Sequence, residues 1–184
     1  DEVPVTAHAG YRRRHYRLTD PYLTFWFRFV YPRRAETETG QSGEVLASIR
    51  EGFAPYCGEM FEELSLDLVR RGILFSGSPY SRLGRWWQKE AEIDLVGLNE
   101  ASGDALFCEC KWSALNRRQA RGVLAELREK ASMVRWRNES RSERFALVAK
   151  SIEGKEDLRE DGCLVADLED IARLSREHLT RMGG

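Results

Sequence analysis

The chain has 184 residues, 42% of them hydrophobic, and a formal net charge of −1 at pH 7. This length supports one full hydrophobic core, or one domain with an appended element, and excludes two large domains. A nearly neutral chain has no overall basic field that would recruit nucleic acid or an anionic membrane. Binding to either partner would therefore depend on a local basic patch.

The cysteines and the apolar runs of the sequence indicate in which cellular compartment the protein folds. The four cysteines, Cys57, Cys108, Cys110 and Cys163, contain no C-x-x-C pair. Cys108 and Cys110 are next-but-one neighbours in a predicted strand, an awkward geometry for a disulfide or a four-ligand zinc site. These features predict a reducing, cytoplasmic compartment. The longest apolar stretch is broken by Arg28 and has about half of the ~20 residues that span a bilayer, so we expect neither a membrane helix nor a signal peptide.

The N-terminal part of the chain predicts a hairpin followed by a short helix. Two extended runs flank residues 8–10, His-Ala-Gly, which is typical of a hairpin turn. Either Thr19 or Asp20 serves as the N-cap of the helix, and Pro21 fits its first position. A dense apolar stretch follows as far as Pro32, where we expect the helix to end.

A polar, glycine-containing stretch over residues 33–43 predicts an exposed linker. We therefore expect an N-terminal segment, residues 1–40, and a main domain, residues 41–184. The main domain opens with two predicted helices, over residues 43–54 and 56–71, of which the second ends at a glycine.

The rest of the chain alternates between short apolar runs and amphipathic stretches. The predicted strands are residues 73–77, 84–88, 92–98, 105–112, 144–150 and 162–167, and the predicted helices are residues 116–133 and 168–179. This order predicts an α/β fold with a mixed central sheet flanked by helices.

Four charged residues interrupt two of these strands. If residues 92–98 and 105–111 are antiparallel neighbours joined by a short loop, Asp94 lies across from Glu109 and Glu92 across from Lys111. Side chains alternate along a strand, so all four are expected on one face. The opposite face then carries core residues, namely Ile93, Leu95, Leu106, Cys108 and Cys110.

Opposed carboxylates in a buried sheet need compensation. Like charges across strands destabilise the pair, and desolvation adds several kcal/mol. Mg²⁺ would relieve both costs, because it binds one or two carboxylates together with water and phosphate oxygens. The backbone carbonyl of Cys110 would be a third ligand, and Lys111 would bring positive charge beside it. The alternative interpretation is that these residues form an ordinary charged rim at the strand ends.

The pattern of Asp94 followed by Glu109-x-Lys111 resembles the PD-(D/E)xK nuclease superfamily. A preceding helix in that superfamily supplies a glutamate, and "GEMFEE" offers Glu62, with Glu63 as the adjacent alternative. The proline of the "PD" pair is replaced by Ile93. The resemblance implies a restriction-endonuclease-like fold and a site for Mg²⁺ or Mn²⁺ held by Asp94, Glu109 and the carbonyl of Cys110. It also implies that Glu62 completes the site directly or through water, and that Lys111 orients and helps to deprotonate the attacking water.

A second resemblance covers nearly the whole chain. Segments such as "YRLTDPYLTFWFRFVYP" and "GRWWQKEAEIDLVGLN" are similar to the C-terminal region of archaeal-type AAA+ ATPases. In those proteins a P-loop ATPase and a winged helix come first, and this chain contains no G-x-x-x-x-G-K-[ST] motif. The resemblance implies that residues 1–18 are the wing of a winged helix and that the ATPase region is a partner. DNA is the expected ligand, and self-association stays open.

Two functions follow as hypotheses. The first is a metal-dependent DNA endonuclease, and the second is a docking or regulatory module that binds DNA or protein without cutting. A group of basic residues would contact phosphates under the first hypothesis or form a solvated face otherwise: Arg82, Arg85, Lys89, Arg117, Arg118 and Arg121. Gln119 is predicted to point toward Lys111.

Overall fold

The computed structural model describes residues 4–6, 18–40, 42–76 and 80–183. Residues 7–17, which contain the turn and most of the predicted N-terminal hairpin, lie outside these ranges, so the winged-helix interpretation of residues 1–18 stays a prediction. Six α-helices are described: α1 (Pro21–Phe25), α2 (Arg34–Glu38), α3 (Ser42–Arg70), α4 (Arg117–Met133), α5 (Lys155–Glu160) and α6 (Leu168–Met182). Five strands are described: β1 (Arg82–Gln88), β2 (Ala91–Leu98), β3 (Asp104–Leu115), β4 (Ser142–Ile152) and β5 (Leu164–Asp167).

The five strands form one sheet in the order β1-β2-β3-β4-β5. Strand β2 runs antiparallel to both β1 and β3, whereas β4 and β5 run parallel to β3. Helix α4 connects β3 to β4, as a parallel neighbour requires a crossover. The predicted mixed sheet flanked by helices is confirmed.

Helices cover both faces of the sheet. Helices α3 and α6 pack on one face, in a cluster that includes Phe61, Leu68, Leu95, Leu106 and Ile171. Helices α4 and α5 pack on the other face, in two clusters that include Phe107, Leu127, Leu124, Leu147 and Leu158. None of the helices in the described ranges is long and apolar enough to cross a bilayer.

The N-terminal helix begins as predicted but continues past Pro32. Asp20 is the N-cap, and its Oδ1 accepts a hydrogen bond from the Leu23 N–H at 2.8 Å. After α1, the chain continues as a π-helical turn, Trp26–Val30, and a 3₁₀ turn, Tyr31–Arg33. Proline fits the start of a helical turn because no N–H is needed there. The predicted linker is helical over α2, which follows directly, but it is exposed as predicted, because α2 has no buried residue.

Helix α3 is a single helix with Pro55 inside it, so the prediction of two helices is wrong. Proline removes one backbone hydrogen bond, but packing on both sides of it keeps the segment helical. Tyr56 contacts the rings of Phe25 and Phe29 and donates a hydrogen bond to the Pro21 carbonyl at 2.9 Å.

Residues 73–75 form bends and residue 76 has no regular structure, so the described part of the predicted strand is not a strand. Gly72 has a φ of 68° and ends α3. The N–H groups of Ile73 and Leu74 then donate back to the Leu68 carbonyl at 2.9 and 3.2 Å. These bonds close the helix end, so the same groups are not available to a neighbouring strand.

Candidate functional site

The hairpin of β2 and β3 has the predicted register over its central part. Leu98 pairs with Ala105, and the pairing continues in step as far as Leu95 and Cys108. The described pairing stops there, one residue before Asp94 and Glu109 would meet. Glu92 instead pairs with Trp87 of β1 and is exposed, so the predicted pairing of Glu92 with Lys111 is not found.

A β-bulge in β2 explains where the pairing changes. The β1–β2 pairs on either side of the bulge are Gly84 with Val96 and Trp86 with Ile93. Arg85 alone therefore lies opposite two residues, Asp94 and Leu95. An extra residue in one strand reverses the alternation of side chains beyond it.

The bulge corrects the prediction that all four charged residues lie on one face. Ile93 packs with Phe107 on the α4 face, whereas Leu95 packs on the α3 face. Glu109 also faces α4, because it contacts Lys130 of that helix. Asp94 therefore lies where the pairing of β2 with β3 ends, and the charges of both Glu109 and Glu62 of α3 act on it.

The ionised form of Asp94 is less stabilised by its surroundings than that of Glu109. Its Oδ2 accepts a hydrogen bond from the Cys110 N–H at 2.8 Å. Burial raises the pKa of Asp94 to about 7, with further contributions from the negative charges of Glu109 and Glu62. Across the described ranges, Asp94 forms no ion pair.

Glu109 is held by two lysines. Glu109 is 2% exposed. Its Oε2 lies 2.9 Å from Lys111 Nζ, and its Oε1 lies 2.6 Å from Lys130 Nζ. Burial alone would raise the pKa of Glu109, but the charges and hydrogen bonds of the two lysines lower it. The predicted contact between Glu109 and Lys111 is therefore present, and α4 supplies a second cation.

Glu62 and Glu63 are bound by a buried arginine. Arg85 Nη1 lies 2.6 Å from Glu62 Oε2, and Arg85 Nη2 lies 2.9 Å from Glu63 Oε1. The Arg85 side chain is 2% exposed. Arg85 thus stabilises the helix carboxylates, and it is not part of a solvent-facing surface for phosphate.

Helix α4 begins with contacts that differ from those predicted. The Gln119 side chain accepts a hydrogen bond from the Asn116 N–H, and the Asn116 side chain accepts one from the Gln119 N–H. This capping box corrects the prediction that Gln119 points toward Lys111. Arg117 and Arg121 form ion pairs with Asp157 and with Asp161.

The remaining basic residues of the predicted set are spread apart. Arg82 donates to the Val5 carbonyl and forms an ion pair with Glu100 at 3.8 Å. Lys89 lies in the turn between β1 and β2 with a φ of 55°, and Arg118 is exposed on the first turn of α4. The six residues therefore do not form one phosphate-binding face.

Two carboxylates near the point where β2 and β3 separate, Asp94 and Glu109, would supply the oxygen ligands of a magnesium site. Asp94 and Glu109 offer hard oxygen ligands, and a cation between them would offset the repulsion that raises the pKa of Asp94. Within the described ranges, no group of three or more His, Cys, Asp or Glu side chains is arranged to hold a metal ion. Glu62 does not act as a third carboxylate in such a group, because Arg85 binds it.

Lys130 is the residue of this site that the sequence prediction missed. It comes from the last turn of α4, on an element separate from the E-x-K strand. Its one sequence signal is that it is among only five lysines in the chain. That signal gives a reason to inspect Lys130 but does not link it to Glu109.

Comparisons with known proteins identify relatives of unknown function. The family DUF234, described as archaea bacterial proteins of unknown function, matches residues 26–123. The uncharacterized protein MJECL04 of Methanocaldococcus jannaschii is 29% identical over 173 residues, which are 93% of this chain and 38% of that protein. The chain thus spans well under half the length of this curated relative.

Two solved structures are similar to part of this chain. A repair endonuclease from Pyrococcus abyssi has a TM-score of 0.38 and 17% identity, over 58% of this chain and 45% of that one. A complex of EndoMS with double-stranded DNA has a TM-score of 0.33 and 18% identity, over 58% and 43% of the two chains. Because both TM-scores are low, the description of the fold of this chain rests on its own strand order and register.

Proposed function

This chain belongs to DUF234, a family of unknown function, and we propose that it is a metal-dependent DNA endonuclease domain that hydrolyses phosphodiester bonds. One observation carries the proposal: a half-buried carboxylate with a raised pKa, Asp94, lies beside a buried carboxylate, Glu109, that contacts the lysine of an E-x-K motif. Strongly perturbed groups that are clustered in this way are typical of catalytic sites.

Asp94 and Glu109 would hold Mg²⁺ or Mn²⁺, with the backbone carbonyl of Cys110 as a third ligand. In an antiparallel ladder a residue directs its N–H and its C=O to the same neighbouring strand. The Cys110 N–H donates to Asp94, which supports a carbonyl directed to the same side. Glu62 would act through water, because its carboxylate is bound by Arg85.

The bound metal would lower the pKa of a water molecule and neutralise charge on the scissile phosphate. Lys111 would orient that water, with its ammonium held 2.9 Å from Glu109 Oε2, and its positive charge would favour loss of a proton from the water to solvent. Burial alone would lower the pKa of Lys111, but the Glu109 charge raises it. Lys111 therefore enters the reaction as a cation that stabilises negative charge. By the resemblance to PD-(D/E)xK nucleases, the product would carry a 5′-phosphate.

Cleavage assays with Mg²⁺ or Mn²⁺ test the proposal. The substrates are single-stranded, duplex, flap and four-way junction DNA, and Lys111→Ala is the inactive control. Cleavage that requires the metal, Asp94 and Lys111 would support an endonuclease. A folded protein that cuts none of these substrates with either metal would contradict it.

The second candidate function is a docking module that binds DNA or protein without cutting. The net charge of −1 favours it, because a nuclease domain usually depends on a basic surface for affinity. Both proposals include a domain boundary between residues 40 and 41. Both also include a preceding winged helix and an ATPase partner in the same protein. Binding of DNA without cleavage would favour the docking module.

A further inference from the structure

We propose that Lys130 is a phosphate-binding residue, which contacts the backbone of the nucleic acid strand that enters beside Glu109. The inference rests on the proposed nuclease site and adds a residue to it from a different element. Its starting point is geometric: Lys130 Nζ lies 2.6 Å from Glu109 Oε1, while Lys111 holds Oε2 of the same carboxylate.

Lys130 reaches Glu109 although a partner is available on its own helix. Glu126 precedes it by four residues and is exposed. Glutamate four residues before lysine is the favourable arrangement for an ion pair on a helix surface. Within the described ranges, the ion pair of Lys130 is nevertheless with Glu109. The direction of this side chain therefore follows from the site and not from the helix surface.

The two lysines carry more charge than their shared carboxylate. Glu109 has one negative charge, and Lys111 already supplies one positive charge at 2.9 Å. Asp94 forms no ion pair with either lysine in the described part of the chain. Glu109, Lys111 and Lys130 by themselves therefore carry one net positive charge. It attracts a phosphate most strongly when a proton or a metal neutralises Asp94, whose charge also acts on Lys111.

Solvent exposure separates these lysines from the buried arginines of the fold. The Glu109 side chain is 3% exposed, whereas those of Lys111 and Lys130 are 40% and 29% exposed. The guanidinium side chains of Arg85 and Arg141, which bridge buried groups, are each 2% exposed. Lys130 is therefore anchored at a buried carboxylate but accessible to a ligand from solvent.

The proposed contact has a defined consequence for recognition. Contacts to phosphate position a nucleic acid but do not read its bases. Lys111 belongs to β3 and Lys130 to α4, so the strand would be held from two elements at once. We expect Lys130 to contribute affinity that does not depend on base sequence.

The test measures binding of the full chain to fluorescein-labelled duplex DNA by fluorescence anisotropy, in EDTA, over a series of KCl concentrations. We expect Lys130→Gln to weaken binding about 3- to 10-fold at low salt and to reduce the slope of log affinity against log salt by about 0.9, the loss of one phosphate contact. Lys130→Arg keeps the charge, so it should retain the affinity.

The matched control is Arg176→Gln, which removes one positive charge from the exposed surface of α6 and should change affinity by no more than about twofold. A Lys130→Gln protein that melts at a lower temperature but binds DNA like the wild type would show a structural role and overturn the inference. It also fails if Lys130→Arg binds as weakly as Lys130→Gln, or if the wild type does not bind DNA in EDTA. Loss of affinity in a protein that never cleaves would support Lys130 and contradict the nuclease.

Discussion

Two clusters of carboxylates and basic side chains lie on this sheet, and they differ in how completely the charges are paired. The first contains Asp94, Glu109, Lys111 and Lys130, and the second contains Asp167, Asp170 and Lys155. Lys111, Ala149 and Asp167 are in register across β3, β4 and β5, so the two clusters lie at the same height along the strands. Around Asp167 and Asp170, Lys155 Nζ lies 2.8 and 2.9 Å from the two carboxylates.

The cluster at β5 is fully compensated. Asp167 and Asp170 also form a capping box at the start of α6, and Arg159 lies 3.2 Å from Asp170. Burial alone would raise the pKa of Asp170, but Lys155 and the Asp167 N–H lower it. At Asp94, burial and neighbouring carboxylates raise the pKa instead. The comparison indicates that the carboxylates around Asp167 and Asp170 are paired within the fold, whereas Asp94 forms no ion pair in the described ranges.

The largest expected difference between the clusters is in activity. Asp94→Asn should lower cleavage by about 10²–10³-fold, because it removes one of the two charged ligands. Asp167→Asn should leave the rate per folded molecule unchanged. Steady-state cleavage of the best DNA substrate, corrected for the folded fraction, measures both. Equal rates for the two variants would remove the functional distinction.

Metal binding should also separate the clusters. Free Mn²⁺ at a hundred times its Kd should stabilise the wild type by about 2.7 kcal/mol, and Asp94→Asn should lose this gain. Because protons compete with the metal at Asp94, whose pKa is about 7, binding should strengthen as the pH rises through 7. Thermal melts and calorimetric titrations at several pH values measure this. An unchanged gain in Asp94→Asn would exclude Asp94 as a ligand.

The compensated cluster should matter more for stability. Asp170→Asn removes a charge that Lys155 and Arg159 bind, and it should lower the free energy of unfolding by about 1–3 kcal/mol. A lowered pKa means that this contribution is present above the ordinary pKa of an aspartate and is lost as the pH falls through the lowered value. Urea unfolding of both proteins between pH 7 and pH 3 measures the effect. A constant difference over this range would contradict the assignment.

The smallest expected effect is a gain in the free energy of unfolding when the charge of Asp94 is removed. Asp94 binds a proton more tightly in the folded state, so between its ordinary pKa and about 7 the wild type should lose stability as the pH rises. Asn keeps an acceptor for the Cys110 N–H, so Asp94→Asn should be about 1–2 kcal/mol more stable at pH 8. The gain should shrink as the pH falls from 7 toward 4. Destabilisation at pH 8 would show that the Asp94 charge is already compensated.

Periodicity alone predicts most of the sheet. Alternating apolar residues give β1 to β5 within a few residues, and the loop between Leu98 and Ala105 gives the register of the hairpin. The juxtaposition of Glu109 and Lys111 also follows, because residues two apart on a strand share a face. The metal and the roles of Glu62, Asp94, Glu109 and Lys111 stay predictions.

The remaining features depend on contacts between distant parts of the chain. The bulge requires the pairing of β2 with β1, which the hairpin pattern does not contain. Lys130 approaches Glu109 through the packing of α4, and Arg85 reaches Glu62 through the packing of α3. Helix α3 continues through Pro55 because aromatic residues from the N-terminal helix pack on it. Local sequence rules do not include such tertiary effects.

The bulge at Asp94 and Leu95 makes this part of the chain sensitive to insertions and deletions. Removing either residue would restore regular pairing with β1 and turn Ile93, which is 0% exposed, away from its core cluster. A one-residue change in the loop between Asn99 and Asp104 would leave both faces of the sheet intact. Transfer of the two carboxylates to another hairpin would therefore require the extra residue as well, because a regular hairpin would direct Asp94 to a different face.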